Sequence, residues 1–293
     1  MTQFPSLSIE EVKEYLPFLT NIQYIDKGGQ KIVFKVSTQG EEFVIKFCYI
    51  GEIYDEETGI NINSNLERIK REIKILKEIN SLFLPKTSII EPGKFQKNSN
   101  LFFYYSEEFI SGYNLRNKII KDLEIIRVAE HIIKAIRKLW ETNKTIHRDI
   151  KPANIMFDSK NDCYKLLDLG LAFSSSMPSL TQSGFILGTL PYMSPEQIKG
   201  YRNELDFRSD LFSLGVVLYE LITGCHPFFK NNMSHRQIER AIMYEDPINL
   251  QDFEIDLPIE FLKFIHTLIN KYPHRRFRSF DKMLDILSLI KEG

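Results

Sequence analysis

The feature that most constrains the fold is a change in hydrophobic periodicity along the chain. In residues 22–47 apolar and polar residues alternate, and Gly28-Gly29 and Gln39-Gly40 interrupt the alternation. Such alternation predicts strands joined by hairpins, because strand side chains point alternately to opposite faces. Residues 89–109 are strand-like again. The first part of the chain is therefore predicted to be rich in β-structure.

The remainder of the chain has the apolar spacing of helices. After Gly112 apolar residues recur at intervals of three and four, which predicts helices over 123–141, 210–221 and 259–270. An earlier helix follows an irregular acidic segment at 51–63, and its apolar face is formed by Leu66, Ile69, Ile73 and Leu76. A strand-rich part before a helix-rich part predicts an α+β protein of two lobes with a crevice between them.

Composition indicates which classes of partner and which cellular compartment to expect. The 293 residues are 43% hydrophobic and 26% charged, which argues against wholesale disorder. The formal net charge is −1, so no strong field favours a nucleic acid or an anionic membrane. The 3 cysteines have no CxxC spacing, and no long uncharged apolar run predicts a transmembrane helix. We expect a cytoplasmic protein with no nucleic-acid or membrane partner.

The most informative motif is His147-Arg148-Asp149-Ile150-Lys151-Pro152-Ala153-Asn154. Phosphoryl transfer needs a carboxylate that orients a hydroxyl and accepts its proton, a cation near the moving phosphoryl group, and an oxygen ligand for Mg²⁺. Asp149, Lys151 and Asn154 supply these groups within one short loop, and Pro152 stiffens it by fixing its own φ. A polar surface loop would explain any one of these residues, but not the whole series.

This run resembles the catalytic loop of protein kinases, and the lysine after the aspartate is similar to the serine/threonine branch. Asp168-Leu169-Gly170 follows a short predicted strand at 164–167. It resembles the family's metal-binding Asp-Phe-Gly element, with Leu169 in place of phenylalanine. The resemblance implies ATP as the cofactor. It also implies Mg²⁺, with Mn²⁺ as an alternative ion, held by Asn154 and Asp168.

The activation segment carries a second resemblance, at its end, Tyr192-Met193-Ser194-Pro195-Glu196-Gln197. This form is especially similar to bacterial, eukaryotic-like serine/threonine kinases. Thr181 and Ser183 stand where those kinases commonly carry phosphates, which implies two phosphosites. A phosphate there would add about two negative charges that Arg148 could pair with. A serine-rich loop with no regulatory role is the alternative.

The first lobe resembles the family's nucleotide-binding half. Lys46 matches the strand lysine that holds the α- and β-phosphates, and Glu72 matches its glutamate partner on the next helix. The resemblance implies that these two residues form an ion pair, which such kinases use as a switch.

The phosphate-covering loop departs most from the family pattern. Gly28 and Gly29 remain and can form a tight turn with free backbone N–H groups. Asp26 and Lys31 replace the outer glycines. Lys31 either adds positive charge near the phosphates or points to solvent, and the sequence leaves both alternatives open.

The adenine site is implied by the same resemblance. The hinge that reads the adenine edge through backbone groups would include Glu108 and Phe109, with Glu107 at the usually apolar position before it. The adenine ring would lie between apolar side chains contributed by both lobes, namely Val33, Val44 and Met156.

Scaffold residues complete the resemblance. Asp210 is expected to cap the central helix and to brace the backbone near His147. Arg276 is the expected buried partner of Glu196, and Thr189 is assigned a structural role in the activation segment.

Together the motifs predict one protein kinase domain over about residues 21–290, with an N-terminal extension 1–20, an N-lobe 21–110 and a C-lobe 111–293. We expect a serine/threonine protein kinase that phosphorylates protein hydroxyls and its own activation loop. Its partners would be protein substrates and, in trans-autophosphorylation, a transient homodimer. Two alternatives are a pseudokinase, which the altered glycine loop favours, and a small-molecule kinase of the aminoglycoside or choline type. The latter generally lacks the Ser194-Pro195-Glu196 element.

Overall fold

The chain forms two compact units in a computed structural model. The first comprises Met1–Asn80 and Pro85–Ile110, and the second comprises Ser81–Leu84 and Ser111–Gly293. The predicted order, strands first and helices second, is confirmed. The structure describes residues 5–28, 31–55, 59–62, 65–87, 89–169, 173–174, 190–200, 205–230 and 232–292.

The first unit is built around an antiparallel sheet. Its strands are β1 (Thr20–Gly28), β2 (Lys31–Thr38), β3 (Glu41–Asp55), β4 (Gly59–Ile62), β5 (Gly93–Lys97) and β6 (Asn100–Glu108). They lie in the order β1-β2-β3-β6-β5, and β4 pairs with the far end of β3.

The alternation of β2 and β3 decides which face of this sheet forms the core. Because the strands pair with Phe34 opposite Ile45, their apolar side chains lie on the same face. These side chains are all buried in one cluster: Ile32, Phe34, Val36, Phe43, Ile45 and Phe47. The other face therefore carries the intervening residues, among them Lys31, Val33, Val44 and Lys46.

Helix α1 (Ile9–Tyr15) lies within the stretch predicted as an N-terminal extension. Ser8 and Glu11 form its capping box, in which the Ser8 N–H donates to Glu11 Oε2 at 2.8 Å and the Glu11 N–H donates to Ser8 Oγ at 3.2 Å. Val12 and Leu16 are buried in the same cluster as β2 and β3. This helix is thus part of the core of the first unit.

The acidic segment at 51–63, predicted to be irregular, contains two paired strands instead. β3 continues through Asp55, and β4 pairs with it, placing Gly51 opposite Ile62 and Ile53 opposite Ile60. The prediction was wrong because acidic residues interrupt the apolar alternation by which a strand is recognised. Backbone pairing, which leaves no such pattern in the sequence, forms this extension.

Helix α2 (Asn65–Glu78) buries one face, as its apolar spacing predicts. Leu66, Ile69 and Ile73 pack with Cys48 and Tyr105 in a second cluster on the sheet. The helical period also places the Glu72 side chain on the buried side. It is 1% exposed.

The second unit is mainly helical among its described residues. Its helices are α3 (Glu124–Asn143), α4 (Pro195–Ile198), α5 (Phe207–Thr223), α6 (His235–Tyr244), α7 (Ile259–Leu268) and α8 (Phe280–Glu292). Its short strands are β7 (Gly112–Asn114), β8 (Thr145–Ile146), β9 (Ile155–Asp158), β10 (Cys163–Leu166) and β11 (Phe173–Ser174). The helices predicted over 123–141, 210–221 and 259–270 are confirmed as α3, α5 and α7, with shifted ends. Within the part of the chain that the structure describes, no helix has the length and apolar composition of a membrane span.

Helix α5 is the central element of this unit, and nearly all of its residues are buried. A Cβ added at Gly215 would lie 2.7 Å from Leu268 Cβ and 2.7 Å from Ile269 Cγ2. Only glycine therefore allows α5 to approach the end of α7 this closely.

The N-terminus of α5 corrects one prediction. The N-cap is Asp206, whose Oδ1 accepts the Arg208 N–H at 2.9 Å, and not Asp210. The helix begins earlier than its apolar spacing suggested, which places Asp210 inside the first turn. Its fully buried carboxylate is consequently free of the capping role.

Candidate active site

The loop predicted to carry the chemistry lies between β8 and β9. Its residues Pro152–Asn154 form a 3₁₀ turn, in which the Asn154 N–H donates to the Lys151 carbonyl oxygen at 2.9 Å. The Leu115 N–H donates to the carbonyl oxygen of Pro152 at 3.1 Å and to that of Ile155 at 3.0 Å. The end of the loop is thus held by its own turn and by a neighbouring segment.

Asp149 is the centre of the polar contacts in this loop. Lys151 Nζ lies 3.0 Å from Asp149 Oδ1 and 2.8 Å from Oδ2. Asn154 Nδ2 donates to Asp149 Oδ2 at 3.0 Å and to the Asp149 carbonyl oxygen at 2.8 Å. The Asp149 side chain is 12% exposed and that of Lys151 is 21% exposed, so solvent still reaches both. The arrangement presents an oriented proton acceptor beside a cation.

The amide of Asn154 is oriented to offer an oxygen to a metal ion. Both atoms it contacts on Asp149 are acceptors, so the group that faces them must be the NH₂. Its Oδ1 therefore faces away from Asp149. Amide and carboxylate oxygens are the ligands that Mg²⁺ prefers, so the donor set formed by Asn154 and Asp168 fits this ion.

Asp168 is tied to the same loop through the residue before it. The Leu167 N–H donates to the Asn154 carbonyl oxygen at 2.8 Å, and His147 Nε2 lies 2.9 Å from the Leu167 carbonyl oxygen. Since His147 Nδ1 accepts the Asp149 N–H at 3.3 Å, the ring proton belongs on Nε2, which donates to Leu167. The fully buried His147 ring thus joins the segment of Asp168 to the backbone of Asp149.

Asp210 braces the beginning of the loop from α5. Its Oδ2 accepts the His147 N–H at 2.8 Å, and its Oδ1 accepts the Arg148 N–H at 2.9 Å. Burial raises the pKa of Asp210, and these two N–H donors offset the rise only in part.

Two residues of the site have left-handed backbone conformations. Arg148 has φ 68° and Asp168 has φ 66°. This region costs non-glycine residues free energy and persists only where surrounding contacts enforce it. The bonds from Asp210 to Arg148 and from Leu167 to Asn154 are contacts of that kind.

The segment after the predicted activation loop is anchored by a buried ion pair. Arg276 Nη1 lies 2.6 Å from Glu196 Oε1, and Nη2 lies 3.0 Å from Oε2. Burial would raise the pKa of Glu196, but the hydrogen bonds and charge of Arg276 outweigh it and hold the pKa below its usual value. Next to Glu196, Gln197 Nε2 donates to the Arg148 carbonyl oxygen at 3.3 Å. The anchored segment therefore contacts the loop.

The nucleotide-binding residues predicted in the first unit form different ion pairs from those expected. Lys46 Nζ lies 2.7 Å from Glu107 Oε2, and Lys31 Nζ lies 3.3 Å from Glu72 Oε2. Glu72 is thus paired with Lys31 and not with the predicted Lys46. The reason is the strand register, which brings both lysines and Glu107 onto the sheet face that α2 covers. Sequence alone does not say which lysine meets the helix.

The predicted hinge follows the pairing edge of β6. The Glu108 N–H donates to the Lys86 carbonyl oxygen at 2.8 Å, and Glu108 Oε2 accepts the Lys86 N–H at 3.2 Å. The N–H of Glu108 is therefore used within the first unit. Phe109 lies beside it, with Lys35 Nζ 4.1 Å from the centre of its ring.

The remaining predicted site residues are placed as follows. Val33 and Val44 are half-buried on the face that carries Lys46, and Met156 is half-buried on β9 of the second unit. Gly28 ends β1 opposite Lys31. Predictions at four positions lie outside the described residues and stay predictions: Gly29, Thr181, Ser183 and Thr189.

Sequence interpretation missed three residues that support the site. Tyr105 Oη donates to Glu72 Oε1 at 3.1 Å, and Ser209 Oγ donates to Glu196 Oε1 at 2.8 Å. Both act across long sequence separations, so no local pattern reveals them. The third, Asp206, had a readable signal, since an aspartate just before an apolar helical run is a typical N-cap.

Comparison with protein families covers most of the chain. Residues 19–286 match the family described as the protein kinase domain. The domain bounds predicted over about 21–290 stay a prediction.

Bacterial kinases are among the relatives of the chain. A probable serine/threonine-protein kinase of Clostridium acetobutylicum is 34% identical over 199 residues, which are 65% of this chain and 29% of that protein. The serine/threonine-protein kinase PknB of Mycolicibacterium smegmatis is 32% identical over 212 residues, 70% of this chain and 33% of that protein. A probable PknB of Corynebacterium glutamicum is 30% identical over 274 residues, 88% and 40% respectively.

The chain spans 29% to 40% of the length of these relatives, all of which are named as serine/threonine-protein kinases. The family match identifies the chain as a member of the protein kinase family.

Proposed function

We propose that the protein is a serine/threonine protein kinase that transfers the γ-phosphoryl group of Mg-ATP to protein hydroxyl groups. The observation that carries the proposal is the cluster at Asp149, where Lys151 and Asn154 lie within 3.0 Å of its carboxylate oxygens. Asp168 is fixed to the same loop through Leu167. Acceptor, cation and metal-binding side chains are the groups that phosphoryl transfer uses.

In the proposed reaction, Asp149 orients a serine or threonine hydroxyl and accepts its proton as the bond between Oγ and phosphorus forms. The bond from the γ-phosphorus to the bridging oxygen breaks, and its electron pair leaves with ADP. Lys151 stabilises the negative charge on the phosphoryl group during transfer. General-base assistance of this kind contributes about 10²–10⁴-fold to the rate.

Asn154 and Asp168 are the proposed ligands of Mg²⁺, with Mn²⁺ as an alternative. When bound, the ion would neutralise charge on the β- and γ-phosphate oxygens. The commitment of the Asn154 NH₂ to Asp149, which leaves Oδ1 for the ion, supports this assignment. Lys46 is the proposed contact of the α- and β-phosphates.

Two features favour a protein as the substrate over a small molecule. Ser194 caps α4 in a capping box with Gln197, and Glu196 in the same helix is locked to Arg276. A segment anchored in this way and bonded to Arg148 could support a polypeptide beside Asp149. The names of the relatives favour serine and threonine as acceptors.

Autophosphorylation of Thr181 and Ser183 is the proposed regulation, and in trans it would pass through a transient homodimer. The position of Arg148 supports it, because bonds to Asp210 and Gln197 fix the backbone on both sides of its side chain. A phosphate adds about two negative charges, which the guanidinium group of Arg148 can pair.

The test is to incubate the purified chain with Mg²⁺ and γ-labelled ATP, alone and with a generic basic protein substrate, and to map phosphosites by mass spectrometry. Asp149→Asn is the diagnostic variant, since an amide cannot accept the hydroxyl proton. Asp281→Asn is the matched control, because Asp281 is an exposed carboxylate paired with Arg137.

Labelled serine or threonine that disappears in Asp149→Asn and persists in Asp281→Asn would support the proposal, and label at Thr181 or Ser183 would support the regulation. Binding of ATP without any transfer would instead indicate a pseudokinase. Transfer to aminoglycosides or choline, with none to protein, would indicate a small-molecule kinase.

A further inference from the structure

A cluster of charged side chains occupies the face of the first unit's sheet that α2 covers. In the antiparallel pairs, Val33 lies opposite Lys46, and Lys46 lies opposite Tyr105. Side chains two residues apart on a strand lie on the same face. Lys31 of β2, two residues from Val33, and Glu107 of β6, two residues from Tyr105, therefore lie on this face as well. Strand register alone therefore gathers two lysines, a tyrosine and a glutamate in one place.

Each lysine of this cluster has a buried carboxylate partner. Lys31 Nζ lies 3.3 Å from Glu72 Oε2, and Lys46 Nζ lies 2.7 Å from Glu107 Oε2. The side chains of Glu72 and Glu107 are 1% and 4% exposed. Each of these two carboxylates is thus paired with a lysine although both are largely removed from water.

Tyr105 connects the two ion pairs. Its Oη donates to Glu72 and lies 3.3 Å from Lys31 Nζ. The centre of its ring is 6.0 Å from Lys31 Nζ and 5.8 Å from Lys46 Nζ. Both ammonium groups therefore lie within about 6 Å of the centre of the same aromatic ring.

Lys31 is the more accessible of the two lysines. Its side chain is 20% exposed, against 8% for Lys46, and it stands at the first position of β2. The alternative in which Lys31 simply points to solvent does not fit its contacts with Glu72 and Tyr105. A lysine whose ammonium is oriented by a buried carboxylate and still reachable is suited to bind an anion.

We propose that Lys31 is a second polyphosphate-binding lysine, oriented by Glu72, which acts together with Lys46 on the phosphate chain of the nucleotide. The assignment rests on the proposed kinase function for the identity of the ligand, an adenosine polyphosphate. In this arrangement Glu72 of α2 orients Lys31 of β2, and Glu107 of β6 orients Lys46 of β3. The replacement of a loop glycine by Lys31 thereby adds a phosphate contact to the first unit.

The test measures binding of adenosine, AMP, ADP and ATP by calorimetry, with Mg²⁺ present, to the unchanged chain and to Lys31→Met. Loss of one charge-assisted contact predicts that ADP and ATP bind about tenfold or more weakly. Adenosine, which has no phosphate, should bind the variant as it binds the unchanged chain. Lys31→Arg keeps the charge and should retain most of the ADP affinity.

Two further variants separate a phosphate contact from a general loss of structure. Lys70→Met is the matched control, because it removes an exposed lysine of α2 whose partner Glu67 is also exposed. It should leave all four affinities unchanged. Lys46→Met should weaken ADP binding independently, so that the double variant with Lys31→Met is weaker than either single variant.

Unchanged ADP affinity in Lys31→Met would overturn the inference, as would an equal loss of adenosine and ADP, or no ADP binding by the unchanged chain. The experiment distinguishes failure of this inference from failure of the proposed kinase function. Lys31-dependent ADP binding without phosphoryl transfer would keep the inference and end the kinase proposal. Phosphoryl transfer by the unchanged chain, together with full ADP affinity in Lys31→Met, would support the kinase proposal and overturn the inference about Lys31.

Discussion

Replacing either partner of the buried Glu196–Arg276 pair should strongly destabilise the second unit, and the two replacements should lower its stability by different amounts. Glu196→Gln removes the one carboxylate that, among the described residues, lies within hydrogen-bond distance of Arg276, whose side chain is 0% exposed. Breaking a buried pair by removing one partner costs about 3–5 kcal/mol. Arg276 keeps three backbone acceptors, the carbonyl oxygens of Asn270, Arg208 and Lys271. We therefore expect the loss in Glu196→Gln to lie near the lower end of that range.

Arg276→Met should cost more than Glu196→Gln. It leaves the Glu196 carboxylate buried with Ser209 as a remaining donor, and it also removes the partner of three carbonyl groups. Each buried group left unsatisfied adds about 1–3 kcal/mol. The loss should therefore reach or exceed the upper end of the range for a broken pair.

The assay is urea unfolding followed by tryptophan fluorescence. Trp140 is the single tryptophan of the chain and packs against Phe207, with ring centres 5.5 Å apart, so its signal reports the second unit. Asp281→Asn is the control, because its pair with Arg137 is solvent-exposed and should contribute less than about 1 kcal/mol. A Glu196→Gln variant no less stable than this control would refute the reasoning.

The pH dependence of the same variant follows from the lowered pKa of Glu196. A carboxyl whose folded pKa is below its ordinary value of 4.5 contributes stability above that value and loses it as the pH falls through the folded pKa. The difference in unfolding free energy between the unchanged chain and Glu196→Gln should therefore shrink in acid. A difference that stayed constant between pH 7 and pH 3 would contradict the assignment.

Three other predictions concern different parts of the second unit. Asp210→Asn disturbs the two bonds that position the loop of Asp149, and a misplacement of this kind should lower kcat by up to about 10²-fold. An unchanged kcat in a labelled-ATP assay would contradict it. Gly215→Ala forces a Cβ to within 2.7 Å of Ile269 and should cost about 1–3 kcal/mol in urea unfolding, so a neutral effect would be unexpected. Burial lowers the pKa of His226 to about 4, so the folded state binds fewer protons than the unfolded chain, whose histidines titrate near about 6.5. Stability should fall as pH drops from about 6.5 to about 4, and His226→Asn should make this fall shallower than in the unchanged chain.

The contacts within the loop of Asp149 were predictable because its residues are neighbours in sequence. Asp149, Lys151 and Asn154 lie within six consecutive residues of one loop, so their contacts form wherever that loop forms. The strands and helices were predictable for a similar reason, since apolar periodicity is a local property. The Glu196–Arg276 pair, 80 residues apart, was reached through family resemblance and not through local chemistry.

Tertiary structure alone decided which charges meet. Lys31 and Glu72 are 41 residues apart, and their pairing depends on the register of β2 with β3 and on how α2 packs over that sheet. The family resemblance predicted Lys46 as the partner of Glu72, because a one-dimensional pattern does not record distances across a sheet. Because the Glu72 carboxylate is removed from water, it needs a cationic partner, and the packing of α2 on the sheet determines which lysine is close enough to pair with it.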